Sequence, residues 1–229
     1  MKKIVIAIDG HSSTGKSTVA KQLANHLNYI YVDTGAMYRA ITLFAHDNNW
    51  IEGDSLNETA LVEKLSEVSI SFQLNPDTQK SEVFLNGTNV EDQIRDLTIS
   101  SKVSLVAQVP QVREKLVEIQ QQMGKEKGIV MDGRDIGTVV FPNAELKLFM
   151  TASPEIRAQR RYDELKSKGD SVSYDDIFEN VMHRDKLDSE RTHSPLKQAD
   201  DAVLVDNSNL SQEAQFEFIL DFINKKLKS

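Results

Sequence analysis

The chain opens on a run with no polar face. Ile4-Val5-Ile6-Ala7-Ile8 is apolar at every position, largely β-branched, and stops at Asp9. Such a run predicts a strand buried on both sides, as in a parallel sheet. The rhythm then becomes helical over residues 16–27, with a short apolar run at 29–32. A turn at Asp33-Thr34-Gly35 leads into a helix carrying Met37, Tyr38, Ile41 and Phe44. Runs at 128–132, 146–151 and 202–205 predict further strands, the first ending on Asp132. Helical spacing predicts helices over 58–68, 94–108, 111–127, 174–189 and 211–226. Ser153-Pro154-Glu155 begins another helix, with a capping hydroxyl, a proline in the first turn and an acid near the positive end. Strands alternating with helices predict an α/β fold, a parallel sheet flanked by helices.

One segment departs from this plan. Ile70, Phe72 and Leu74 alternate with polar residues before Asn75-Pro76-Asp77, and Val83 and Leu85 alternate before Asn86-Gly87. Asn-Gly after an alternating run is a hairpin signal. The expectation is a small antiparallel β region inserted into the α/β chain. No repeat, low-complexity tract or flexible linker divides the 229 residues, so they read as one domain, 1–229.

Composition narrows the function classes. The net charge of -8 argues against a protein that lives on bulk nucleic acid or an anionic membrane. With no cysteine, disulfides, thiolate nucleophiles and Cys-ligated zinc are excluded. The five histidines show no metal-ligand spacing. The apolar run at 4–8 is shorter than the ~7–15 residues of a secretory core or the ~20 of a membrane span, so the expected compartment is the cytoplasm. Of the 27 basic residues only nine are arginine, the residue suited to forked recognition of phosphate. An acidic chain with few, placed arginines suits a small polyanion.

Gly10-His11-Ser12-Ser13-Thr14-Gly15-Lys16-Ser17 matches the phosphate-binding pattern G-x-x-x-x-G-K-[ST] between a strand and a helix. Glycines let successive N–H groups face one anion, and the following helix adds its positive end. In that mechanism Lys16 reaches the β- and γ-phosphates, and Ser17 with Asp132 serves Mg²⁺. The bland alternatives are a glycine-rich turn and a strand-end aspartate.

Further motifs follow in order: Asp33-Thr34-Gly35-Ala36-Met37-Tyr38-Arg39, then Asp132-Gly133-Arg134-Asp135-Ile136-Gly137, then Arg157 with Arg160 and Arg161, then Arg184-Asp185-x-x-Asp188-x-x-Arg191 with Ser194-Pro195-Leu196. Arg184, Asp188 and Arg191 stand at i, i+4 and i+7, which on a helix share one face. Alone, such a stripe reads as a solvated ion-pair ladder and the arginines at 157–161 as helix surface.

Together, over essentially the whole chain, these stretches resemble the bacterial cytidylate kinases, P-loop nucleoside monophosphate kinases. The resemblance implies a P-loop NTPase fold with a nucleotide-binding insert at about 62–95 and a short lid at about 155–172. It implies ATP-dependent phosphorylation of CMP and dCMP, with ATP as donor and Mg²⁺, by a cytoplasmic monomer without nucleic acid or membrane partners. Residues 10–18, through Thr18, would hold the ATP phosphates. Thr34 and Arg39 would contact the acceptor phosphate, with Arg134 nearby and Arg95 reaching the acceptor nucleotide. Ser104, Arg113 and Asp135 would read cytosine, while Arg184, Asp188 and Arg191 would serve ribose and bridging phosphates. Arg157, with Arg160 and Arg161, would belong to the lid and touch ATP. The catalytic set implied is Lys16, Arg134, Arg157, Arg184 and Arg191. Thr34 stands where many relatives have Ser, and Ser17 where some have Gly. Other readings remain: the same chemistry on UMP, AMP or shikimate, or a P-loop ATPase or GTPase switch. For a GTPase, Asn224-Lys225-Lys226-Leu227 fails the last position of N-K-x-D.

Overall fold

The computed structural model describes residues 2–77 and 81–228. Its strands are β1 (Val5–Gly10), β2 (Ile30–Asp33), β3 (Ile51–Glu52), β4 (Ser55–Leu56), β5 (Ile70–Leu74), β6 (Ser81–Leu85), β7 (Thr88–Asn89), β8 (Ile129–Gly133), β9 (Leu146–Thr151) and β10 (Val203–Asp206). Its helices are α1 (Lys16–Leu27), α2 (Thr34–Asp47), α3 (Glu58–Lys64), α4 (Leu97–Ala107), α5 (Pro110–Met123), α6 (Pro154–Ser167), α7 (Tyr174–Glu190) and α8 (Gln212–Lys228). The chain forms two compact units, one of residues 2–31 and 124–228, the other of residues 32–123.

The first unit is the predicted parallel sheet, with strand order β10-β9-β1-β8-β2. Every residue of β1 and of β8 is buried, as their unbroken apolar runs require. β1 lies parallel to β8 on one side and β9 on the other, with Ile8 beside Asp132 and Gly10 beside Met150. The strand order reverses at β1, and ligands of open parallel sheets sit outside the carboxyl ends at such a reversal. Val19, Leu23, Ile219 and Ile223 of α1 and α8 pack on Ile4, Ile6, Ile8, Leu148 and Met150 in one core. A second, smaller core joins α6 and α7 through Ala158, Leu165, Ile177 and Val181. Ser153 caps α6 by accepting from Ile156 N, with Pro154 in the first turn, as its sequence predicts.

In the second unit, Asp33 caps α2 by accepting from Ala36 N. β5, β6 and β7 form the predicted antiparallel region, with Ile70 opposite Leu85 and Leu74 opposite Ser81. Asn86 and Gly87 turn β6 into β7 with φ of 50° and 83°, the left-handed pair that a two-residue hairpin needs. Residues 78–80 of the expected insert lie outside the described residues. The compact unit is longer than the 62–95 expected for the insert, because α2, α4 and the neighbouring elements pack with it.

One local expectation changes, and one element is new. Pro110, just before the helix expected over 111–127, is the first residue of α5, where its missing N–H is harmless. The short pair β3–β4, turned at Gly53 (φ 56°), is too brief for a periodicity to show.

Candidate active site

In the first unit, β1 runs directly into the phosphate loop. Gly10 has φ 148°, and a Cβ there would stand 2.0 Å from Met150 O, so the loop leaves the sheet along a path only glycine allows. Gly15 (φ 83°) is the N-cap of α1 and provides no side-chain cap, so the helix's first N–H groups face the loop unblocked. Lys16 is buried, with Nζ donating to His11 O at 2.6 Å and to Thr14 Oγ1 at 3.5 Å. Thr14 Oγ1 in turn donates to His11 O at 3.0 Å. Burial, then the nearby Arg134, push the Lys16 ammonium down to about 7, against the pull of Asp132, Asp188 and Asp9.

Asp132 closes β8 beside the loop. It accepts from Ser17 Oγ at 3.0 Å and from the Tyr31 hydroxyl at 2.8 Å. A serine hydroxyl and a carboxylate are hard oxygen donors, and Mg²⁺ is commonly held by one or two such groups plus substrate phosphates and water. The pair therefore fits the ion. Among the described residues no cluster of three His, Cys, Asp or Glu could hold a metal.

Asp9, just before the loop, accepts from Ile136 N and Gly137 N, both at 2.7 Å. Burial pushes its carboxyl up to about 6 although these two N–H groups favour the charged form.

The expected arginine groups separate by partner. Arg134 Nε donates to Asp188 Oδ2 at 2.7 Å. Burial would raise the Asp188 carboxyl, but Arg134, Arg184 and Arg191 outweigh it and hold it low. The i, i+4, i+7 stripe reaches the very end of α7. α7 ends at Glu190, and Arg191 is its C-cap (φ −62°, ψ 142°), the point at which the chain leaves the helix. Arg191 comes within 3.8 Å of Asp188 and 3.9 Å of the buried Asp135, its Nε donating to Ser194 O at 2.6 Å.

The three arginines of α6 differ in kind. Arg157 is 2 % exposed and forks onto Asp185 at 2.9 and 2.5 Å, also reaching Ala152 O and Ser12 O. His11 Nδ1 stands 3.2 Å from the same carboxylate. Arg160 bonds Asn207, and Arg161 forms a surface pair with Glu164 at 2.9 Å. Only Arg157 touches the phosphate loop among the contacts the three make here.

In the second unit, one carboxylate gathers two expected acceptor residues. Asp33 Oδ2 accepts from Arg39 Nη2 and from Arg95 Nη1, each at 2.9 Å. Burial opposes the Asp33 charge, yet Arg39 and Arg95 hold the carboxyl far below the usual range. Thr34, the first residue of α2, is buried beside it. A Cβ on Gly35 would meet Arg39 Nη1 at 3.1 Å and Asp33 Oδ1 at 3.1 Å, so the glycine lets the guanidinium fold back. Arg113 is buried, donates to Ala107 O at 3.1 Å and lies over the Tyr38 ring at 5.3 Å. Ser104 is half-buried on α4, its carbonyl accepting from Gln108.

The family model described as cytidylate kinase matches residues 6–225. The chain belongs to the cytidylate kinase family. It is 60 % identical to a cytidylate kinase of Flavobacterium psychrophilum over 98 % of this chain and 99 % of the relative. It is 56 % identical to one of Bacteroides thetaiotaomicron over the whole length of both. A solved structure of an uncharacterized protein from Eubacterium ventriosum shares the fold, with a TM-score of 0.52 at 13 % identity over 98 % of this chain and 99 % of that one. No helix among the described residues is long and apolar enough to cross a membrane.

Sequence reasoning missed the carboxylates behind the family's arginines. Asp33 stood in the turn before α2 and Asp185 within the Arg184-Asp185-x-x-Asp188 stretch, neither with an arginine partner assigned. The signal was present in both cases, an acid adjoining an expected anion-binding residue. Tyr31 and Asn207 had none, since their partners are fixed by the tertiary fold.

Proposed function

We propose that two separate anion grips carry the activity of this family, the ATP-dependent phosphorylation of CMP. The loop residues Gly10 to Thr18 hold the ATP phosphates, with Lys16 leaving His11 O to meet them and Arg157 stabilising the transferring group. Thr34, Arg39, Arg95 and Arg134 hold the acceptor phosphate. Ser104, Arg113 and Asp135 read cytosine, and Arg184, Asp188 and Arg191 serve ribose and the bridging charge. Ser17 and Asp132 would hold Mg²⁺, which supplies charge neutralisation between the phosphates. Residues 62–95 serve as the nucleotide-binding insert and 155–172 as the lid. The chain works as a cytoplasmic monomer, on dCMP as well as CMP, without nucleic acid.

The observation that carries this reading is the second grip. A P-loop switch needs one polyanion, whereas here a second unit has its own pair of guanidiniums, Arg39 and Arg95, presented by Asp33. The acceptor is a phosphate oxygen already ionised near neutral pH, so no general base has to take a proton from it. Catalysis reduces to alignment and charge stabilisation. A carboxylate such as Asp135 accepts from the cytosine amino group and repels the uracil carbonyl, and mispaired buried polar groups discriminate ~10⁴-fold or more.

A phosphorylation panel over CMP, dCMP, UMP, AMP, GMP and shikimate tests it. CMP and dCMP should be turned over fastest. An equal rate on UMP or AMP would defeat the cytosine assignment, as would an Asp135→Asn enzyme with an unchanged CMP-over-UMP preference.

A further inference from the structure

Asn207 belongs to none of the stretches that mark the family, yet it holds the phosphate loop. It follows β10 and is 3 % exposed. Its backbone N–H donates to Thr151 O at the end of β9, at 3.0 Å. Its side-chain nitrogen donates to Thr14 O at 2.7 Å, and also to Gln215 Oε1 on α8. Its side-chain oxygen accepts from Arg160 Nη1 at 3.0 Å, while Arg160 Nη2 donates to the Asn207 carbonyl at 3.0 Å. Every polar atom of the amide is therefore engaged. A carboxamide is nearly symmetric in shape, but a guanidinium only donates. Arg160 beside the oxygen therefore forces the nitrogen toward Thr14.

That contact sets a direction. The Thr14–Gly15 peptide is planar and trans, so its C=O and N–H point opposite ways. Drawing Thr14 O toward Asn207 turns Gly15 N–H to the other side. The neighbouring backbone is left-handed at Ser13 (φ 58°) and at Gly15 (φ 83°), and the freedom of glycine leaves the peptide's orientation to what holds it.

We infer that Asn207 is a positioning residue for the ATP phosphates. It fixes the Thr14–Gly15 peptide plane, and Arg160 fixes the Asn207 amide. This rests on the reading of the loop as the ATP grip. It also gives Arg160 a supporting role in place of a direct lid contact.

Asn207→Asp tests it, since the substitution keeps size and the Arg160 bond but sets a carboxylate oxygen against Thr14 O. KM for ATP should rise roughly tenfold or more, with KM for CMP changed by less than about twofold. The Gly15 amide resonance of the substrate-free enzyme should shift. A merely structural role would lower the melting temperature and the active fraction while leaving both KM values and that resonance in place. Where Asn207→Asp fails to fold, Arg160→Met reads the same coupling from a partly exposed position. It should raise KM for ATP, and the Asn207→Ala, Arg160→Met double variant should lose no more than Asn207→Ala alone. Multiplying losses would make Arg160 an independent ATP contact and overturn the relay. An unchanged KM for ATP in Asn207→Asp, with normal CMP phosphorylation by the unaltered enzyme, overturns this inference alone. An unaltered enzyme inert toward CMP overturns the proposed function.

Discussion

On the proposed reading, the two grips handle anions by opposite means. The loop between β1 and α1 works with its backbone: uncapped N–H groups of a helix start, positioned by Gly10 and Gly15, with Lys16 added. The grip at the start of α2 works with side chains: Arg39 and Arg95 drawn together from 56 residues apart by the carboxylate of Asp33. A backbone grip leaves almost no room for substitution, because each atom is also part of the chain's path. A side-chain grip has flexible ends that can give way.

The sharpest contrast comes from two glycines. Gly10→Ala drives a Cβ to 2.0 Å from a backbone carbonyl, which cannot move without the sheet. A loss of roughly 4–5 kcal/mol is expected in chemical denaturation. Lys16→Met should keep the fold and lower kcat by roughly 10³-fold, about 4 kcal/mol, in steady-state assays. A drop under tenfold would mean that the backbone alone carries the loop.

The two grips should also answer pH with opposite signs. The Asp9 carboxyl, at the foot of the loop, is raised from 3.8 to about 6 by burial. Its contribution to stability is therefore fully present below about 3.8 and lost as pH rises through about 6. The loss is roughly 3 kcal/mol at most. Melting of the parent chain between about pH 4 and 6.5 should show this slope, and Asp9→Asn should flatten it. Asp33 runs the other way. Its carboxyl is held below the usual range, so its contribution is present above about 3.8 and is lost only in acid.

Asp33→Asn leaves two arginines without their shared partner. Both are partly exposed, so roughly 2 kcal/mol of stability is expected to go, less than for a fully buried pair. KM for CMP should rise about tenfold and KM for ATP should hold; equal rises in both would erase the separation of the grips. Gly35→Ala should be mildest. Its Cβ meets the end of Arg39 at 3.1 Å, and a cost of about 1 kcal/mol with a few-fold rise in KM for CMP is expected.

The same division explains what could be read in advance. The strands β1, β8 and β9, the loop and the cap of α6 were legible because their causes are local: an apolar run, a glycine spacing, Ser before Pro. The contact of Arg191 with Asp135 was not legible, because the spacing of α7 places Arg191 beside Asp188 but says nothing of other elements. Arg157 and Arg161, four residues apart on one helix, read alike. Yet one is buried on Asp185 and the other pairs with Glu164 near solvent. Periodicity assigns a residue to a helix, but the packing of α6 on α7 decides which arginine is inside.

The sharing of Asp33 has a consequence for how the chain tolerates mutation. If Arg39 alone is lost, Arg95 still neutralises the half-buried carboxylate, and the reverse holds equally. If both are lost, the carboxylate at the cap of α2 keeps the Ala36 N–H but has lost both cations. For folding, the first lesion is cushioned and the second is steep, an epistasis built from three residues. The fold forgives a single error at either arginine, even where turnover does not.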